Sequence, residues 1–349
     1  MPLRLAITGP HRVEVLEYED RPLRAGEVLV RTELATGKHG TTQAMFDDIN
    51  FRSQHFDVNL HLFTQAPPGA DRPRPSRESP WDTGNAGAGT VIAVGPEVTR
   101  WREGDRVFGP MDIRETNICR EDRLWALDGL DPELAVCFEA AYVPFHCIRE
   151  SNVRFGDSVA IVGLGALGLL AVRMARLSGA ELVVALDLLP NRREWAARNG
   201  ADVVLDPREG DVALRIRELT GGRGVDVAIE TSGAYAALNT AIRCARVGGT
   251  VCSAGFYQGE AHSLWLGREW HHNRLTIIVP HGCGWGHQPR DYPAWDSRRS
   301  EDTIVSLMRQ GKLTAPGLLQ PIIPIHKGPD VWRLIEEDPG QVIKYAVRF

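Results

Sequence analysis

The sequence predicts an α/β protein made of a doubly wound parallel sheet plus a separate β-rich domain. Residues up to about 120 carry short β-type runs set off by turn signals, whereas from Asn152 onward strand-like and helix-like stretches alternate. At 349 residues the chain is long enough for two domains, each burying its own core. The 43% hydrophobic and 24% charged composition is that of an ordinary globular protein.

In the first part, strand-like runs fall at 26–32, 89–95 and 104–109, each opened by a glycine. Between them, residues 46–81 are rich in Pro, Arg and Asp, hold His55 and His61, and read as a long surface excursion. Loops of that length usually serve as lids or binding walls. In the second part the reading is a strand at 159–162, a helix from 166, a strand at 182–186 and a strand at 202–205. It continues with a helix at 212–219, a strand at 225–229 and a helix at 236–246 ended by Gly248 and Gly249. Strands at 250–253 and 275–279 complete the alternation. Beyond Pro280 an amphipathic stretch at 301–310 and a last strand at 342–347 follow.

Residues 159–168 read Val-Ala-Ile-Val-Gly-Leu-Gly-Ala-Leu-Gly, and Asp187 stands at the end of the next apolar strand. That is the pattern of a dinucleotide-binding unit. Gly163 allows a turn too tight for a side chain, Gly165 lets the backbone approach a pyrophosphate, and Gly168 lets the helix pack close to the sheet. Ala166 and Leu167 open that helix, whose first N–H groups point at the diphosphate. Asp187 then accepts from the adenosine ribose hydroxyls and repels a 2′-phosphate, so NAD is expected over NADP. Arg192 and Arg193 lie close enough in sequence to temper that preference.

A net charge of −5 with no long basic block argues against nucleic acid as a partner. No apolar stretch reaches the roughly 20 residues needed to cross a bilayer, and no secretory leader is visible at Met1. Six cysteines are scattered without a CxxC pair, which predicts reduced thiols and a cytoplasmic protein.

These motifs, with Gly-Asp-Arg-Val at 104–107, resemble the medium-chain dehydrogenase/reductase superfamily, in particular its alcohol and polyol dehydrogenase branch. The resemblance spans nearly the whole chain. It implies a GroES-like catalytic domain at 1–145 completed by 281–349, and a Rossmann domain at 146–280. It also implies nicotinamide chemistry, substrate held in a cleft between the domains, and a homodimer or homotetramer. By the same resemblance Thr231, Ser232, Ala254, Gly255 and Phe256 border the cofactor, and Lys344 reaches its pyrophosphate, the alternative being a surface lysine on a terminal strand.

The chain departs from the family at its zinc ligands. Gly37-Lys38-His39-Gly40-Thr41 puts His39 where a ligand cysteine is usual, and Gly84-Asn85-Ala86-Gly87 lacks the usual His-Glu pair. Only Glu139 matches a third ligand position, and the structural lobe of four close cysteines is missing. A tight zinc site needs three imidazole, thiolate or carboxylate ligands. No catalytic or structural zinc is therefore expected, the alternative being a centre rebuilt with His55 or His61.

Without a metal, a proton-exchanging or cationic side chain must stabilise the alkoxide. Lys38 and His39 are the candidates, Thr41 matches the hydroxyl that relays the proton, and Glu139 is either the partner of that Lys or His or a plain helix-start acid. His146 reads as a packing residue. Trp81, Trp285 and Trp295 with the polar loop suit a sugar or polyol substrate. The alternatives are a zinc-free enone or quinone reductase and a nucleotide-binding protein without turnover.

Overall fold

The computed structural model describes residues 1–38, 40, 54–65, 74–280 and 288–349. They form two compact units, Met1–Glu139 with Ala315–Phe349, and Ala140–Thr314.

The first unit is β-rich. Its principal sheet runs Trp125–Ala126, Arg106–Gly109, Ala86–Val94, Glu27–Thr36, Lys344–Arg348 and Leu319–Pro324, with Thr116–Arg120 also pairing on Glu27–Thr36. A smaller sheet joins Arg12–Glu17, Leu3–Gly9 and Trp81–Asp82. The alternation in Glu27–Thr36 sends Val28, Val30 and Leu34 inward, and Val28 and Val30 pack with Val91, Val107 and Leu124. A second cluster gathers Leu5, Ile7, Ile113, Trp332, Tyr345 and Val347. The C-terminal strand is thus a core element, pairing Ala346 with Thr36 just ahead of Gly37.

Two stretches here differ from the sequence reading. The excursion at 46–81 contains a hairpin, Gln54–Asp57 with Leu62–Gln65. Phe56 and Phe63 meet edge-on across it at 5.3 Å, and Asp57 accepts from the amides of Asn59 and Leu60 to close the turn. The strand Leu319–Pro324 and helix Gly328–Glu337 lie in a stretch where no element was expected.

The second unit carries a parallel sheet in the order Val203–Leu205, Leu182–Leu186, Ser158–Val162, Val225–Glu230, Ala245–Ser253 and Thr276–Ile278. Chain order reverses between Ser158–Val162 and Val225–Glu230, the switch point of a doubly wound sheet. Val159–Val162 and Val183–Leu186 are buried, as strands covered on both faces must be. The helix expected at 236–246 ends at Cys244, and the next strand starts at Ala245. Residues 246–249 bulge between the paired positions Ala245 and Thr250, which the positive φ of Gly248, 67°, permits.

The sequence reading returns the chain to the first domain at 281, whereas the first unit resumes at Ala315. The stretch from 288 is tied to the second unit by side chains. Arg149 stacks 3.6 Å from the Trp295 ring and pairs with Asp291 at 2.8 Å, and Arg173 donates to Thr314 at 2.8 Å. Cys119, Cys137, Cys147, Cys244 and Cys252 are buried free thiols. Among the described residues no helix is long and apolar enough to cross a membrane.

Candidate functional site

In the second unit the glycine turn has the backbone its motif demands. Gly163 sits at φ 87°, and a Cβ there would come within 2.9 Å of the Ser232 Cβ. A Cβ on Gly168 would lie 1.9 Å from the Gly163 carbonyl oxygen, so the helix Ala166–Leu177 packs as closely as its backbone allows. At Gly165, which caps that helix, a Cβ would meet nothing within 4 Å. The turn is closed on the protein side and open on the other. Thr231 locks it, donating its N–H to the Val162 carbonyl at 3.0 Å and its hydroxyl to the Gly163 carbonyl at 2.8 Å.

Asp187 stands at the end of the neighbouring strand. It accepts from the Leu164 amide at 2.6 Å and the Leu189 amide at 2.8 Å, so it also holds the glycine turn. An ionised carboxylate has about four lone-pair sites, which leaves capacity for further donors. Arg192 approaches to 3.9 Å, and burial lowers its pKa while Asp187 opposes that shift. Arg193 is committed elsewhere, to the Asp187 carbonyl and to Asp206.

Beyond the switch point, Glu230 ends its strand with a fully buried carboxyl. It accepts from the Ser232 amide at 2.6 Å, the Gly233 amide at 3.2 Å, and the hydroxyls of Ser232 and Tyr257. The Ala254 amide donates to its carbonyl at 2.9 Å, and a Cβ on Gly255 would lie 2.3 Å from the Gly233 nitrogen. Phe256 is exposed. The structure therefore brings together Gly163, Gly165, Ala166, Leu167, Gly168, Asp187, Arg192, Thr231, Ser232, Ala254, Gly255 and Phe256 along the carboxyl ends of one sheet. Glu230 and Tyr257 were missed by sequence reasoning. The available signal was an acid ending the otherwise apolar strand Val225–Glu230.

In the first unit a second cluster forms around Glu139, next to the start of the helix Phe138–Glu150. One carboxylate oxygen accepts from Lys38 Nζ at 2.9 Å and the other from the Asn85 amide. Thr36 donates to the Asn85 oxygen at 3.2 Å, which orients the amide toward Glu139. Glu139 is thus the partner of Lys38 as well as a helix-start acid. Asn85 belongs to the cluster as well.

Lys344, expected at a pyrophosphate, is buried within this unit and donates to the Gly37 carbonyl at 3.0 Å. Burial lowers its pKa, and Glu139 opposes the shift. Its neighbour Tyr345 leaves no room at Gly37, where a Cβ would lie 2.0 Å from the phenol oxygen. Two ammonium groups and one carboxylate are thereby gathered at the end of Glu27–Thr36. His39 and Thr41 lie outside the described residues.

His55 contacts Thr64 at 3.3 Å and His61 faces Phe56 at 6.3 Å between ring centroids. His146 packs against Tyr142 at 4.6 Å, and burial lowers its pKa to about 4. Among the described residues no group of three His, Cys, Asp or Glu side chains is placed to hold a metal ion.

Comparison with known proteins defines the class. Residues 24–146 match the family model described as "Alcohol dehydrogenase GroES-like domain", and residues 166–298 match "Zinc-binding dehydrogenase". The chain belongs to the medium-chain dehydrogenase/reductase superfamily and is an alcohol/polyol dehydrogenase-like oxidoreductase. It is 35% identical over 353 residues to a D-guloside 3-dehydrogenase of Escherichia coli K12, covering 99% of both chains. It is 31% identical over 210 residues to a sorbitol dehydrogenase of Bacillus subtilis, covering 51% of this chain and 60% of that one. The crystal structure of 2R,3R-butanediol dehydrogenase from Bacillus subtilis superposes with a TM-score of 0.77 at 21% identity over 100% of both chains.

Proposed function

We propose that this protein is an NAD-dependent dehydrogenase of a secondary hydroxyl in a sugar or polyol, and that it acts without a catalytic zinc. The observation that carries the reading is the Lys38–Glu139 pair. An ammonium group lies 2.9 Å from the one carboxylate that matches a zinc-ligand position, with the Asn85 amide on its other oxygen. An amide nitrogen and the methyl of Ala86 are not zinc ligands. The described donor set does not fit a catalytic zinc, and a fixed cation takes over its electrostatic task.

The glycine turn, by contrast, fits a dinucleotide. It is open where Gly165 has no side chain, a helix N-terminus follows, and Asp187 retains acceptor capacity. We assign the diphosphate to Gly163, Gly165, Ala166, Leu167 and Gly168, and the adenosine ribose to Asp187. The carboxylate at 187 favours NAD over NADP, and Arg192 beside it reduces the margin. The segments Thr231–Ser232 and Ala254–Phe256, across the switch point, serve the nicotinamide half. When bound, the nicotinamide supplies the hydride acceptor or donor.

Oxidation of an alcohol also releases the hydroxyl proton. Glu139 holds the Lys38 ammonium in place at 2.9 Å, which suits it to stabilising a developing alkoxide. By residue type His39 is suited to take the proton, since imidazole exchanges protons near neutral pH, and Thr41 to pass it on. The similarity to a D-guloside 3-dehydrogenase over the full length favours a glycoside ring hydroxyl as substrate.

Turnover of a hexoside and polyol panel with NAD tests the reading, together with Lys38→Met and His39→Asn. Both variants should lose most of their kcat while retaining cofactor affinity. If both keep full turnover, the acid-base assignment is wrong.

A further inference from the structure

The carboxyl of Glu230 has no place in the chemistry above. It is fully buried, and no lysine or arginine pairs with it among the described residues. Four groups converge on it, the amides of Ser232 and Gly233 and the hydroxyls of Ser232 and Tyr257. Both hydroxyls are donors to it, and an ionised carboxylate is an acceptor only, so the constellation is shaped for the charged form. Tyr257 is itself held by stacking on Tyr235 at 5.2 Å, and Tyr235 is anchored to the Gly259 carbonyl at 2.8 Å. Burial raises the pKa of the carboxyl above the usual range, and the hydrogen bonds from Ser232, Tyr257 and Gly233 offset only part of that rise.

A buried charge without a counter-ion is costly and calls for compensation. Its position in the sheet says where that compensation comes from. A doubly wound sheet binds one mononucleotide on each half, at the carboxyl ends of its strands. Asp187 follows a strand of the first half, so the second half takes the nicotinamide. Glu230 ends the first strand of that half, paired directly with Val162 ahead of the glycine turn.

We propose that the carboxylate of Glu230 sets the balance between oxidised and reduced cofactor, favouring the cationic nicotinamide ring of NAD⁺ over the neutral ring of NADH. The proposal rests on the nicotinamide reading above. Through its four donors the same carboxylate also clamps residues 231–233 to 254–257.

The test measures dissociation constants of NAD⁺ and NADH separately, by calorimetry and by NADH fluorescence, on wild type, Glu230→Gln and Tyr257→Phe. Neutralisation in Glu230→Gln should weaken NAD⁺ relative to NADH by roughly threefold to tenfold, the range for one unit charge acting across an interior of intermediate dielectric. Tyr257→Phe keeps the charge and should keep the wild-type ratio. A merely structural role for Glu230 would weaken both nucleotides equally. Equal weakening, or an unchanged ratio, overturns the proposal while leaving the cofactor assignment intact. Wild-type protein that binds neither nucleotide overturns both. In Glu230→Gln the amide oxygen can keep the Ser232 donors while the Tyr257 hydroxyl turns to accept from the new amide nitrogen. If that variant still does not fold, Glu230→Ser, which also removes the charge, carries the same prediction.

Discussion

Replacing Glu139 by Gln removes one charge and almost no volume, so it isolates the electrostatic part of the Lys38 cluster. The pair stands at 2.9 Å with its side chains 33% and 26% exposed. Two unit charges at about 4 Å in an effective dielectric of 20 interact by about 4 kcal/mol before desolvation. Solvent screening at this exposure and the desolvation already incurred leave a net of about 1–2 kcal/mol. Lys38 and the buried Lys344 would then share the region with no carboxylate between them. A Gln also turns an NH2 donor toward either the Lys38 ammonium or the Asn85 amide, where Glu139 presents an acceptor oxygen to each, and that mismatch adds to the loss of charge. The expected result is a fall in kcat/KM of about tenfold, within a range of roughly 5-fold to 30-fold, read from initial rates. Stability carries an independent signature. Burial already holds the pKa of Lys344 below its unfolded value of 10.5, and loss of Glu139 lowers it further. The folded state then resists protonation more strongly at neutral pH, and that penalty fades as pH rises from the folded pKa toward 10.5. The melting temperature of the variant should therefore lie below wild type at neutral pH and approach it in alkali. Wild-type kcat/KM together with a pH-independent melting difference would refute the cluster.

Three further expectations concern other residues. Asp187→Ala should raise the NAD dissociation constant by about tenfold to a hundredfold, as loss of charge-assisted hydrogen bonds does, with a smaller effect on NADP; an unchanged ratio of the two affinities contradicts the ribose assignment. Gly168→Ala puts a methyl group 1.9 Å from the Gly163 carbonyl oxygen, so calorimetry should show a loss of about 1–3 kcal/mol together with weakened NAD binding. Burial and the nearby Asp82 raise the Asp112 carboxyl to about 6, so its ionisation opposes folding increasingly as pH rises from about 4 to about 6. Asp112→Asn should accordingly stabilise the protein at neutral pH by up to about 2–3 kcal/mol, and the gain should vanish in acid.

The dinucleotide unit was legible because its parts are local. The glycine spacing, the strand before it and the acid after it fall within 29 residues, from Val159 to Asp187, and each has a backbone reason visible in the sequence. The Lys38–Glu139 pair spans 101 positions and was open to sequence only as one of two readings of Glu139. Asn85 was hidden by its glycine neighbours, which match a turn whether or not the amide points at a carboxylate. Lys344 shows the limit of position-matching. A basic residue on the last strand is equally compatible with a pyrophosphate and with burial against the Gly37 carbonyl, and the pairing of Ala346 with Thr36 brings it to the latter. Glu230 and Tyr257 lie 27 positions apart, one at the end of a strand and the other just past the end of its parallel neighbour, a contact set by sheet topology. The hairpin at 54–65 escaped notice because Pro, Arg and Asp around it mask two strands of only four residues each.

The central claim is that a fixed ammonium group replaces a metal ion at the reacting oxygen. Metal analysis of the purified protein, joined to NAD-dependent turnover of a glycoside before and after exhaustive chelation, tests it most directly. The account predicts far less than one zinc per chain and undiminished turnover after chelation. Stoichiometric zinc, with activity lost on chelation and restored by adding zinc back, would contradict it.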